Sequence, residues 1–245
     1  MSARHFTLDK VVFYGRTLAE YRRVFQLTDE ELRGKRVLDC PGGPDSFGAE
    51  ARDLGCQVVS CDPVYAHSID DVAARGRQDI EETIDRVRAG RHFQSEDWDL
   101  QKRNKLAALE RFVADYRARA GDGSGAYLAA KLPHLPLPDA SFDLVLSAHL
   151  LFVYSSTGAG GLLAHDGLDL DFHRRAIREL IRLCRGEIRI YPTATVDEHA
   201  RRHPFASQIA HELTQEGYQV AFRRSNYTQG VKDFNDYMSI MVPRP

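Results

Sequence analysis

The chain lacks the marks of several common protein classes. Its four cysteines, Cys40, Cys56, Cys61 and Cys184, have neither the paired spacing of a zinc site nor the density of a secreted disulfide framework. No apolar run approaches the roughly eighteen residues of a membrane span, and the opening MSARHFTLDK has no apolar signal core. A cytoplasmic protein with no membrane partner is the expectation. Neither charge sign dominates: 33 Lys and Arg face 35 Asp and Glu, so no global basic field exists to hold nucleic acid. The pairs Arg174-Arg175, Arg201-Arg202 and Arg223-Arg224 sit among acids or in helical patterns and read as solvated faces. The string G-x-x-x-x-G-K-[ST] is absent, and with it the usual phosphate cradle of nucleotide hydrolases. There is no internal repeat and no low-complexity tract. His199 and His203 share an i, i+4 spacing but no nearby acid completes a metal motif, so they read as an exposed helix start and no metal site is expected.

What is present is concentrated in VLDCPGGPDSFGAEARDLGCQVVSCDP, residues 37–63. It reads as strand, glycine turn, helix and strand, with a carboxylate closing each strand. Doubly wound α/β sheets build a nucleoside pocket this way: the turn lets a ligand approach the backbone, and the second acid, here Asp62, reaches ribose hydroxyls. The turn also discriminates among nucleosides. A dinucleotide fingerprint brings pyrophosphate against bare backbone, but here Gly42 and Gly43 are adjacent and are followed by Pro44 and Asp45, whose carboxylate would repel a diphosphate. S-adenosylmethionine carries no phosphate, and its cationic sulfonium and ammonium suit an acidic turn.

The length and the 43% hydrophobic content suit one large domain spanning residues 1–245. Residues 1–33 form an N-terminal helical extension, with LAEYRRVFQL placing Leu18, Tyr21 and Phe25 on one face and TDEEL opening a capped turn. Residues 66–124 contain no strand-like run. Two helical patterns fill them, with Leu106, Leu109, Phe112, Val113 and Tyr116 on one stripe, so they read as a helical insertion serving as a lid or an interface. Strands are expected at Ala126–Leu128, around Leu144–Leu146 and at Glu187–Tyr191; helices follow Asp171 and span 199–216, and Tyr218–Arg223 with Asp236–Val242 form a terminal antiparallel pair. The fold class is therefore α/β, doubly wound and Rossmann-like, with a mostly parallel seven-stranded sheet.

VLDCPGGPDSF with VVSCDP, then LPLPDASFDLVLSAHLLFVY at 135–154, resembles the first and fourth strand motifs of class I S-adenosylmethionine-dependent methyltransferases. FYGRTLAEY, HLLFVYS and EIRIYP extend the resemblance to an uncharacterised bacterial group within that superfamily. The resemblance implies S-adenosylmethionine as cofactor, S-adenosylhomocysteine as product and a small-molecule acceptor. It places Asp39, Pro41, Gly42 and Gly43 around the methionine portion, although Pro41 stands where the pattern usually has glycine. Asp62 and Pro63 fall to the ribose, Lys131 and Leu132 to the adenine, and Ala148 to the end of the fourth strand, while Tyr14 and Arg16 close over the cofactor carboxylate.

Methyl transfer from a sulfonium is an in-line displacement, so holding donor and acceptor close and collinear is the main task, worth roughly 7–11 kcal/mol. His149 stands where an acceptor meets the methyl, as base or as orienting donor, and Tyr154 follows it; His173 and Tyr191 are weaker candidates for the same wall. Two other functions compete with this one: a non-catalytic cofactor-binding or scaffolding descendant of the fold, and a nicotinamide-dependent reductase. The acceptor and the oligomeric state, monomer or homodimer, are not written in these residues.

Overall fold

Alternating burial along the strands shows why the chain layers as it does. In the computed structural model, which describes residues 7–89, 97–119, 121–165, 167–196, 200–227 and 235–243, strand β1 (Arg36–Asp39) sends Val37 into one core and Leu38 into the other. Strand β4 (Phe142–Ala148) does the same, with Leu144 and Leu146 on the Val37 side and Val145 on the Leu38 side. A strand buried on both faces reads as a continuous apolar run, which belongs to the centre of a parallel sheet.

Five further strands complete the sheet among the described residues: β2 (Gln57–Cys61), β3 (Tyr127–Leu128), β5 (Cys184–Tyr191), β6 (Gln219–Arg224) and β7 (Asp236–Met241). Their order is β3-β2-β1-β4-β5-β7-β6. The first five are parallel, and β7 runs antiparallel between β5 and β6, so the expected mostly parallel seven-stranded sheet with its antiparallel end is present.

Helices α1 (Leu18–Phe25), α2 (Asp29–Leu32) and α3 (Phe47–Asp53) cover one face, where Tyr21 stacks on Phe47 at 4.1 Å. Thr17 with Glu20, and Thr28 with Glu31, form capping boxes that start the first two helices. Helices α6 (Leu170–Leu183) and α7 (Pro204–Gln215) cover the other face. Strand β5 begins at Cys184 rather than at Glu187, because α6 runs into it without a loop. Helix α7 begins at Pro204, whose ring suits the first helical position, and not at residue 199, which lies outside the described residues. Residues 7–17 are not helical: the segment crosses the carboxyl edge of the sheet and hangs on Leu8–Leu163 bridging and on Phe13 N–H donating to Asp79 at 3.0 Å.

The insertion is a pair of helices, α4 (Ile69–Ala89) and α5 (Trp98–Arg119), between β2 and β3. Ile80, Ile84, Leu109 and Phe112 form their shared core, and α5 packs on α3 as well. A buried ion pair secures that junction. Arg52 of α3 meets Asp115 of α5, and its Nη1 reaches Val58 O at 3.0 Å and its Nη2 the Tyr127 hydroxyl at 2.9 Å. Burial opposes the Asp115 charge, but hydrogen bonds from Tyr127 and Arg52 and the Arg52 charge outweigh it and hold this carboxyl below its usual range.

Asp115 keeps the Tyr127 hydroxyl at 2.7 Å and Arg119 at 3.1 Å, so Arg52→Met is expected to destabilise the protein by about 1–3 kcal/mol. Urea titration at neutral pH would read this as a lower midpoint at unchanged slope. The carboxylate's stabilisation is present above its unfolded pKa and is lost as acid carries the pH through its depressed folded value. The difference between wild type and variant should therefore shrink below about pH 4.

Candidate functional site

The carboxyl ends of β1, β2 and β4 open onto one cleft of about 2090 Å³. Open α/β sheets bind ligands at this edge, where the chain order reverses on either side of β1. Residues from the β1 exit (Pro41, Gly42, Gly43, Asp45), the β2 exit (Asp62, Pro63), the passage after β3 (Lys131, Leu132) and the β4 exit (Ala148, His149) all line it. Tyr14, Arg16 and Tyr154 line its far end, and α5 adds Trp98 and Lys105. Of the sequence-predicted site residues, Asp39 and the weaker candidates His173 and Tyr191 do not line the cleft.

Packing dictates the glycine turn. A Cβ on Gly42 would stand 2.7 Å from the Tyr65 hydroxyl and 2.8 Å from Ser60 Cβ, so β1 leaves the sheet through a gap only glycine fits. Gly43 adopts a φ of +47°, the left-handed region that glycine enters at no steric cost. Asp62 ties this turn to β2: its Oδ2 accepts from Gly43 N–H at 3.0 Å and its Oδ1 from Val64 N–H at 2.9 Å. The Tyr65 hydroxyl donates to Gly43 O at 2.6 Å from the opposite side. An ionised carboxylate offers about four acceptor sites, so two remain on Asp62 toward the cleft. Burial raises the Asp62 pKa, while those two backbone donors pull against it.

Beneath the turn lie two more carboxyls that share one phenol. The Tyr21 hydroxyl is 2.7 Å from Asp39 Oδ1 and 2.9 Å from Asp45 Oδ2. A phenol has one proton to donate, so both contacts are satisfied only when one carboxyl carries a proton of its own. Asp39 is the better host: it is fully buried, its Oδ2 has no partner, and burial together with the Asp45 charge drives its pKa well above the usual carboxylate range. Burial also pushes Asp45 up to about 7, against the pull of Arg16, whose backbone N–H donates to Asp45 Oδ1 at 2.8 Å. Two of the sequence expectations change accordingly. The Asp39 carboxyl is engaged by Tyr21 behind the turn and does not line the cleft, and burial raises the Asp45 pKa to about 7, so its repulsion of a diphosphate weakens as the pH falls.

The far end of the cleft assembles from distant segments. Arg16 Nη1 donates to Tyr14 O at 3.0 Å, and its Nε is buried without a partner. Glu20 on α1 pairs with Lys105 on α5, and the Tyr227 hydroxyl donates to Glu20 Oε1 at 3.1 Å. Burial opposes the Glu20 charge, but Lys105 and Arg16 hold its carboxyl below the usual range. None of Glu20, Lys105 and Tyr227 was expected at the site. One signal was present in the sequence: Trp98, Lys105 and Phe112 repeat every seven residues, so the lysine occupies a stripe position that apolar residues otherwise hold.

His149 sits on the wall between the two ends. Its φ of +59° is strained for a non-glycine residue and turns the imidazole over the edge of the sheet. The backbone N–H donates to Tyr191 O at 2.6 Å, yet both ring nitrogens are buried without partners. Burial, and then the charges of Arg16 and Lys105, hold the ring pKa well below 6.5, so it is neutral. The Tyr154 hydroxyl accepts from Val12 N–H at 3.2 Å and keeps its own proton to donate.

Three expectations about aromatic side chains are corrected. His173 is fully buried beneath the loop after β4, where Nε2 accepts from Phe152 N–H at 2.8 Å, and it forms no part of the wall. Tyr191 lies behind His149, edge-on at 5.0 Å, with its hydroxyl bonded to Asn235 Oδ1. His203 is not exposed: it caps α7 by accepting from Phe205 N–H at 3.2 Å, and its Nε2 lies 2.8 Å from Ser155 Oγ. His199 falls outside the described residues. No group of three potential metal ligands occurs among the described residues, and no described helix is long and apolar enough to cross a membrane.

No family model matches the chain. It is 27% identical over 195 residues to an uncharacterised protein of Methanocaldococcus jannaschii, covering 77% of this chain and 80% of that one. Among solved structures it is similar to magnesium protoporphyrin IX methyltransferase of Synechocystis PCC 6803 with bound S-adenosylhomocysteine, at 13% identity and a TM-score of 0.48, covering 91% of this chain and 81% of that one. It is also similar to the 1,6-didemethyltoxoflavin-N1-methyltransferase of Burkholderia thailandensis, with 1,6-didemethyltoxoflavin and S-adenosylhomocysteine bound, at 13% identity and a TM-score of 0.43, covering 88% and 76%.

Proposed function

We propose that the protein is a methyltransferase that uses S-adenosylmethionine and a small-molecule acceptor, both held in the cleft at the carboxyl edge of the sheet. The observation that carries this reading is the Asp62 carboxylate, which lines the cleft, is anchored to the glycine turn and has acceptor capacity left over. A carboxylate placed beside a bare turn is suited to a vicinal diol. The remaining walls fit the rest of the cofactor: Leu132 and Lys131 flank the adenine, Pro63 and Asp62 the ribose, and Pro41, Gly42, Gly43 and Ala148 the methionine portion. Arg16, with an unpartnered Nε, takes the cofactor carboxylate beside Tyr14.

When bound, the cofactor supplies an electrophilic methyl group. The chain's own part is to orient the acceptor and exclude water. His149, neutral and with two unpartnered ring nitrogens, offers one donor and one acceptor to the incoming molecule. Its depressed basicity makes it an orienting group more than a proton sink at neutral pH. Tyr154 supplies a second donor, and α5 covers the cleft from above as a fixed wall or as a lid. A cytoplasmic enzyme working on a soluble metabolite is consistent with the balanced charge.

The direct test is transfer of labelled methyl from S-adenosylmethionine into a metabolite extract, with mass identification of the product. Cofactor affinity with no transfer to any acceptor would favour a scaffolding role. Calorimetry with S-adenosylhomocysteine tests the ribose assignment. Two charge-assisted bonds at about 1.5–3 kcal/mol each imply that Asp62→Ala weakens binding at least about a hundredfold. Because Asp62 also caps the turn, the same change should cost about 1–2 kcal/mol in stability; unchanged affinity would remove Asp62 from the ribose.

S-adenosylmethionine bears a net positive charge, which a deprotonated Asp45 attracts and a protonated one does not. Affinity is therefore expected to rise several-fold between about pH 6 and about pH 8, across the raised Asp45 pKa of about 7. Asp45→Asn, which keeps an acceptor for Arg16 N–H, should flatten that profile.

A further inference from the structure

The far end of the cleft contains a buried ammonium with a single carboxylate partner among the described residues. Glu20 accepts from Thr17 N–H at 3.0 Å through Oε2 and from the Tyr227 hydroxyl at 3.1 Å through Oε1. Each oxygen therefore holds a neutral donor besides the Lys105 ammonium on Oε1. Lys105 has three ammonium protons. Among the described residues its hydrogen-bond partner is Glu20 alone, and its Nζ lies 4.6 Å from the centre of the Tyr14 ring. It is 4% exposed, on a helix face otherwise suited to apolar side chains, and it lines the cleft. Burying an ammonium is costly unless anions offset it, and burial together with the Arg16 charge pushes the Lys105 pKa down to about 8 against the pull of Glu20.

The surroundings specify what a second partner would look like. The segment from Leu8 to Tyr14 runs from Lys105 to an apolar patch in which Leu8, Val153, Tyr154 and Leu162 pack together, and these residues line the same cleft. His149, whose ring nitrogens are unpartnered, stands close enough to Lys105 to feel its charge. The cationic and the apolar surfaces therefore face one space beside the residue placed next to the acceptor.

We propose that this end of the cleft is an acceptor subsite for a carboxylate carried on an apolar body, and that the Lys105 ammonium is the specificity-determining group that recognises it. The proposal rests on the methyl-transfer reading above and names the substrate class that reading leaves open. Glu20 holds the ammonium in place while the site is empty and gives up part of its charge to the acceptor carboxylate. Leu8, Val153 and Leu162 cover the apolar body, and His149 turns the accepting atom toward the methyl.

The test uses full-length protein saturated with S-adenosylhomocysteine and three probes, phenylacetate, indole-acetate and octanoate, each against its primary amide. Thermal shift and calorimetry should show at least one carboxylate binding about tenfold or more tighter than its amide, as expected for a charge-assisted contact. Lys105→Met should abolish that preference; because the Lys105 Nζ also lies over the Tyr14 ring, affinity for S-adenosylhomocysteine is measured for both proteins and the preference is compared at saturating cofactor. Glu20→Gln keeps a residue competent for the capping box and frees the ammonium, so it should tighten the same carboxylate. The opposite directions of the two variants separate recognition from general loss of structure. No preference for carboxylate over amide across the panel, or a preference that Lys105→Met leaves intact, overturns the proposal. Failure of wild-type protein to bind S-adenosylhomocysteine would instead overturn the parent reading.

Discussion

One contact organises the cleft: the Asp62 carboxylate holds the exits of two parallel strands together through Gly43 N–H and Val64 N–H. The paired register of these parallel neighbours ends at Asp39 with Ser60, and one further backbone bond, Gly42 N–H to Cys61 O at 2.9 Å, carries the contact into the turn. Beyond that point each backbone needs new partners or remains unsatisfied. Asp62 supplies them from a side chain, and the Tyr65 hydroxyl supplies another to Gly43 O. The turn is thus held open as a concave surface, and the anchor is itself a polar group with capacity to spare.

The two ends of the cleft are built on different principles. The glycine-turn end comes from residues 40–64 and 130–132, close in sequence or on adjacent strands, and its shape follows from sheet geometry. The far end joins Glu20 on α1, Lys105 on α5 and Tyr227 after β6, positions separated by 85 and 207 residues along the chain from Glu20. Buried charges hold that end together, and they do so at a cost in desolvation that apolar contacts would avoid. Such an expense is characteristic of sites that must meet a polar ligand.

This difference also explains what was legible in the sequence. Strands β1 and β4 were readable because burial on both faces leaves an unbroken apolar run, α1 because Leu18, Tyr21 and Phe25 share one face, and α2 and α3 because Thr28 and Gly55 mark their ends. The glycine turn and Asp62 were readable because their roles depend on local geometry. The roles of His173 and His203 were not, since each is fixed by partners 21 and 48 residues away in sequence. Asp39 lies at the end of the first strand as expected, yet the phenol that takes its carboxyl comes from α1, and nothing in β1 reveals that. Lys105 left only a trace, a charged residue in an apolar stripe.

The reliance of Glu20 on Thr17, Lys105 and Tyr227 has a consequence for how the molecule assembles. Contacts with long loops between their ends pay their closure entropy before any reward arrives, so local structure forms first. A chain in which the central strands and the glycine turn have already condensed would own one nearly finished end of the cleft. The opposite chamber would close only after the N-terminal helix, the insertion and the final hairpin had all docked.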